Sequence, residues 1–288
     1  MFGISAALTT PVTPDGSVDQ ARLNSHITTV LSESCSSVTL FGTTGEGASV
    51  AQDARLGTVR AVIDAGTDPA KLVLTLHGAA TADVAQHAAS ARDMGVTRFL
   101  LPPPCYFNQP SNAGLFNWFA QVLNPFSGTD ARFILYHIPQ VIGVGLPIDL
   151  VADLKAGFPA QVLGVKDSSG VFENTRDLLQ LKGLDILVGD ERQLAACAQI
   201  GASGSISGIA NLFSARLAAV LASGANDADI NHLVDIVLKT PVTPAIKTLV
   251  AHKYGADAWR KTFAPLDPTP DADIAMLAKA YDKVAASA

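Results

Sequence analysis

The chain has 288 residues, 48% of them hydrophobic and only 16% charged, with a net charge of −6 and no Lys/Arg cluster. That length suits a single α/β barrel of about 250 residues with a remainder, and the acidic balance argues against nucleic acid as a partner. Cys35, Cys105 and Cys197 are scattered, no apolar run approaches the ~18 residues of a membrane span, and the histidines show no metal-ligand spacing. The expectation is a cytoplasmic protein with no membrane segment and no metal site.

In chain order, the first run (1–11) has no basic region ahead of its short apolar stretch, so it reads as a strand and not as a signal peptide. From there β-rich runs alternate with Ala/Leu-rich amphipathic stretches. Strands are predicted at 4–9, 37–41, 72–76, 98–101, 133–138, 162–165, 185–188 and 204–207. Helices are predicted at 19–33, 51–65, 81–94, 111–123, 148–156, 171–182, 190–199 and 213–222, with Thr81 and Ser111 as N-caps. Eight successive units with no break in composition predict an α/β fold, a parallel (β/α)8 TIM barrel over 1–224. A doubly wound open sheet would not need eight evenly spaced units. Beyond 225 the pattern is helical only, at 227–239, 243–254 and 271–286, which predicts a C-terminal helical appendage over 225–288.

Barrels place their chemistry at the C-terminal ends of strands. The sixth predicted strand runs into Lys166, within Gly164-Val165-Lys166-Asp167. Burying an unpaired ammonium is costly, so desolvation there lowers a lysine pKa from about 10.4 towards neutrality and makes the amine a nucleophile for carbonyl carbon. The alternative is a lysine that leaves the strand and snorkels to water. Its place decides between them: Lys71 starts the third strand and Lys247 falls in a C-terminal helix, whereas Lys166 alone ends a strand.

The fifth strand ends Tyr136-His137-Ile138-Pro139, and adjacent strands lie about 4.8 Å apart, so the Tyr136 phenol can reach Lys166 and move protons. The second strand ends Gly42-Thr43-Thr44-Gly45-Glu46, a tight turn with hydroxyls and free backbone N–H groups that can hold a carboxylate. Glu46 is expected to be no more than a helix-start residue. Val188-Gly189-Asp190-Glu191 and 204–208 bring glycines to the ends of the last two strands, either as room for a small substrate or as ordinary loop residues.

These motifs, with 201–207, resemble the dihydrodipicolinate synthase / N-acetylneuraminate lyase family of Schiff-base pyruvate aldolases across essentially the whole chain. The resemblance implies that Lys166 forms an imine with pyruvate or another 2-oxo acid and that Tyr136 and Thr43 carry protons. Thr44 would bind the pyruvate carboxylate, and Gly189 and Ile206 would line the pyruvate pocket. It further implies no cofactor, because the protonated imine is the electron sink, and a homotetramer or homodimer. Departures fall on the other half of the site. Val141 stands where synthases carry the arginine that binds the carboxylate of the aldehyde, Phe107 replaces a relay tyrosine, and His137 replaces an asparagine. A valine makes no bidentate carboxylate contact. The expected activity is therefore a pyruvate-dependent aldolase or lyase whose small aldehyde is not aspartate semialdehyde. An authentic 4-hydroxy-tetrahydrodipicolinate synthase, a 2-keto-3-deoxy sugar acid aldolase or dehydratase, and a non-catalytic 2-oxo-acid-binding paralogue are the alternatives.

Overall fold

Eight strands pair in parallel in chain order and close on themselves, β1 (Gly3–Ala7) meeting β8 (Gly204–Ser207). Between them lie β2 (Ser37–Leu40), β3 (Leu72–Thr75), β4 (Arg98–Leu101), β5 (Arg132–His137), β6 (Val162–Asp167) and β7 (Asp185–Val188). The helices that follow successive strands are α1 (Gln20–Glu33), α2 (Gln52–Asp64), α3 (Thr81–Arg92), α4 (Asn112–Leu123), a short α5 (Pro139–Ile142) and α6 (Ile148–Gly157). Then come α7 (Phe172–Leu178), α8 (Leu194–Gln199) and α9 (Ala210–Ser223), and beyond the barrel α10 (Ala228–Val237), α11 (Val242–Tyr254) and α12 (Asp271–Ala286). The computed structural model describes residues 1–287. Among them no helix is long and apolar enough to cross a membrane.

Parallel strands covered by helices are buried on both faces, and their alternation sorts side chains between two cores. On β5, Phe133 and Leu135 point out to the helical layer, whereas Ile134 and Tyr136 point into the barrel with Val73, Leu100, Leu187 and Ile206. Each fully buried Leu, Ile, Val or Phe contributes roughly 1.5–3 kcal/mol, so the barrel holds its strand ends in fixed positions. The same alternation carries Lys166 inward and Val165 outward, and it is what places an amine in the barrel mouth.

Several local expectations change. β6 continues through Lys166 to Asp167, because Tyr136 and His137 of β5 extend the ladder opposite them. Lys166 is therefore held by strand backbone and not by a loop. Ser111 caps α4 by accepting the Gly114 N–H (3.1 Å), but Thr81 is not a cap: its hydroxyl donates to Gln121 of α4 (3.0 Å). The helix expected at 171–182 stops at Leu178, and the one at 190–199 splits into a 3-10 turn, Glu191–Gln193, and α8. Asp190 tightens that turn by accepting the Arg192 N–H. The last barrel helix starts at Ala210, earlier than expected, and bends at Phe213.

Candidate active site

Tyr136 and Lys166 are register partners on neighbouring strands. Both point inward, and the Lys166 Nζ donates to the Tyr136 hydroxyl at 3.1 Å, the ammonium lying 4.3 Å from the ring centroid. The Thr43 hydroxyl lies 3.3 Å from the same Tyr136 oxygen. One phenol thus links an amine on β6 to a hydroxyl after β2, across the barrel mouth. Lys166 is only 5% exposed, so it does not snorkel. Burial by itself would push the Tyr136 phenol up. The Lys166 ammonium and hydrogen bonds from Thr43, Lys166 and Ser168 outweigh it, and the net direction is downward. The phenol is a more willing proton donor than a free tyrosine.

The 42–47 turn is built on close approach. A Cβ on Gly47 would sit 1.9 Å from the Phe41 carbonyl oxygen, and one on Gly45 2.7 Å from that of Leu8. Phe41 and Glu46 both take positive φ (58° and 54°) to make the reversal. The Glu46 and Gly47 N–H groups are used inside the turn, while those of Thr44 and Gly45 have no partner among the described residues. Gly189 is equally constrained, since a Cβ there would meet the Ser168 hydroxyl at 2.0 Å and the Asp167 carbonyl at 2.8 Å.

These groups open on a cavity of about 350 Å3. Thr43, Thr44, Tyr136, Lys166, Gly189 and Ile206 all line it, so the six residues expected to bind or act on the 2-oxo acid face one space. Three features escaped sequence reasoning. The first is that α10 and α11 form a wall of this cavity, with Val234, Val237, Val242, Thr243 and Ile246. The second is a buried ion pair between Glu46 and Lys247 of α11, both side chains 0% exposed. The Lys247 Nζ also donates to the Thr10 carbonyl (2.9 Å), and the second Glu46 oxygen accepts the Phe263 N–H (2.6 Å). A lone lysine inside the apolar run 243–251 was the available signal. The third is a polar rim of Asp190, Glu191 and Arg192, at the start of the helix expected over 190–199.

The departures separate in space. Val141, on α5, lines the cavity and is 59% exposed. Phe107 does not line it. It stands in solvent, edge-on to Tyr106 with ring centroids 5.2 Å apart. His137 faces the opposite side of β5, where its Nδ1 accepts the Leu146 N–H (2.8 Å) and its ring lines a second cavity. Burial pushes His137 down, with Asp167 opposing. Among the described residues no group of three or more His, Cys, Asp or Glu is gathered as for a metal ion.

Fold and site together define a (β/α)8 barrel with an amine, a phenol and hydroxyls at its strand ends, and comparison with known proteins makes it a lyase of that class. The chain belongs to the Dihydrodipicolinate synthetase family, whose model matches residues 1–281. It is 30% identical to an uncharacterized DapA-like lyase of Chloroflexus aurantiacus, covering 99% of this chain and 97% of the relative. Among solved structures it is similar to dihydrodipicolinate synthase from Agrobacterium tumefaciens (43% identity, TM-score 0.95, 98% and 99% of the two chains). It shares its fold with YagE, a prophage protein of E. coli K12 determined in complex with pyruvate (19% identity, TM-score 0.87, 99% of each chain).

Proposed function

We propose that this family lyase makes or breaks a carbon–carbon bond between pyruvate and an aldehyde through an imine on Lys166. The observation that carries the reading is the unbroken line from Lys166 Nζ to the Tyr136 hydroxyl to the Thr43 hydroxyl at the cavity floor. Nζ gives a proton along the 3.1 Å bond to Tyr136 as the phenol passes its own on to Thr43, and the freed amine attacks C2 of pyruvate. The relayed proton, returned by Tyr136, and a second from the attacking nitrogen convert the carbonyl oxygen to water, which leaves, and the resulting protonated imine acidifies C3. Thr44 and the free N–H groups of the turn hold the carboxylate, with Gly189 and Ile206 shaping the space around C3. The pyruvate bound in YagE supports this choice of 2-oxo acid.

The aldehyde is proposed not to be aspartate semialdehyde, because Val141 and its neighbours offer no free cation for its carboxylate. Exposed Tyr106 and Phe107 favour a homodimer or homotetramer that covers them, and three unpaired cysteines suit the cytoplasm. Borohydride reduction with pyruvate, followed by peptide mass spectrometry, tests the reading. A reduced pyruvyl adduct on Lys166 is expected, and an unmodified Lys166 contradicts it.

A further inference from the structure

We infer that the second substrate is an aldehyde with an apolar, branched or aromatic substituent carrying neither carboxylate nor hydroxyls. This rests on the imine reading above and deepens it. Beyond the imine end, the cavity wall is made by Val141, Val234, Val237, Leu238, Val242 and Ile246.

Several of the polar side chains around that wall already have partners within the chain. Arg192 is the one cation in its lining besides Lys166, and each of its three nitrogens already donates to a carboxylate. Nε and one terminal nitrogen grip both oxygens of Asp190 (3.0 and 2.7 Å), and the other terminal nitrogen holds Asp235 (2.8 Å). Two carboxylates, Asp190 and Asp235, on one guanidinium make this cluster net negative, which disfavours a second carboxylate.

Other groups that could read hydroxyls already have partners as well. Glu191 Oε1 accepts the Ser207 hydroxyl (2.5 Å) and the Ile209 N–H (3.3 Å). Gln140 donates to the Ser168 carbonyl (2.6 Å), and the Thr243 hydroxyl donates to the Thr43 carbonyl (3.2 Å). A sugar-like aldehyde would strip water from its hydroxyls and find few free partners. An apolar substituent loses no hydrogen bonds on entering and removes the wall from water.

The chemistry closes without another reactant. C3 of the pyruvyl enamine attacks the aldehyde carbon, the carbonyl oxygen takes a proton, and water cleaves the imine. The product is a 4-hydroxy-2-oxo acid with the apolar group at C4, and the Lys166 amine is restored.

Wild-type protein is first trapped with pyruvate and borohydride. Condensation is then measured with benzaldehyde and 2-methylpropanal against succinic semialdehyde and glyceraldehyde. The apolar pair is expected to give a kcat/KM at least tenfold higher, about 1.4 kcal/mol in transition-state stabilisation. Leu238→Arg, at a position 49% exposed and outside the barrel core, is expected to lower that preference at least tenfold. Trapping on Lys166 with equal or better use of the charged or hydroxylated aldehydes, or with no use of the apolar ones, overturns the aldehyde class and leaves the imine standing. An unchanged preference in Leu238→Arg together with a changed sedimentation coefficient shows the wall to be covered by a second copy, which also overturns it. Absence of trapping sinks the imine reading and this inference with it.

Discussion

Lys247→Met removes one side of the ion pair that joins the 42–47 turn to α11. The substitution keeps an unbranched chain of similar length, so the cost is electrostatic and not a void. Glu46 retains the Phe263 N–H but loses its cation, and the Thr10 carbonyl loses a donor. Stranding a buried charge in this way costs about 3–5 kcal/mol. At about 2–4 °C per kcal/mol for a domain of this size class, the melting temperature should fall by roughly 6–20 °C. Pairing the change with Glu46→Gln removes the stranded charge but keeps an acceptor for Phe263, and should recover at least half of the loss. Thermal unfolding by circular dichroism on the three variants supplies the cycle. A fall of less than about 2 °C in Lys247→Met, or a double variant no more stable than Lys247→Met, would refute the burial argument.

Lys166→Ala should abolish pyruvate trapping and turnover with a near-unchanged melting curve; retained turnover would dismiss imine catalysis at that residue. Tyr136→Phe should lower kcat by about 10²–10⁴, a normal general acid–base contribution, while circular dichroism stays native. Gly189→Ala should weaken pyruvate binding and destabilise by about 1–3 kcal/mol, because the Asp167 carbonyl is backbone and cannot step aside. A wild-type KM for pyruvate would argue against it. Burial pushes His26 down from 6.5 to about 4, and burial with the nearby Arg55 pushes His87 to about 3. Both fold as neutral rings, so their contribution is complete above pH 6.5 and falls as the unfolded chain takes up protons below it. The loss is on the order of 1.4 kcal/mol per pH unit for each ring down to about pH 4. Urea midpoints that stay flat between pH 6.5 and 5 would contradict this.

The barrel was legible because β-strand and helix periods alternate eight times, and the strand-end rule then singled out Lys166 without any partner in view. Tyr136 followed from strand adjacency, and the register pairs it directly with Lys166. Local sequence was weaker wherever a long-range contact decides. Thr81 has the look of a cap, yet Gln121 of the next helix takes its hydroxyl. Glu46 looked like a helix-start carboxylate, and its meaning depends on Lys247, 201 residues away. Likewise, the engagement of Arg192 is invisible until Asp235 folds over it from α10. In each case the missing information was which distant group arrives, a property of packing and not of local pattern.

Helix α11 has two duties on neighbouring faces. One side brings Val242 and Ile246 to the cavity, and the other anchors the Thr43–Thr44 turn through Lys247 and Glu46. Sliding or tilting the helix would drag with it the Thr43–Thr44 turn, the proposed carboxylate holder. On the proposed reading, the range of aldehydes can therefore drift by exchanging side chains at the cavity, but not by moving the helix. Engineering for other aldehydes on that reading should start at 242 and 246 of α11, with Leu238 just after α10, and leave the loops that set the helix position intact.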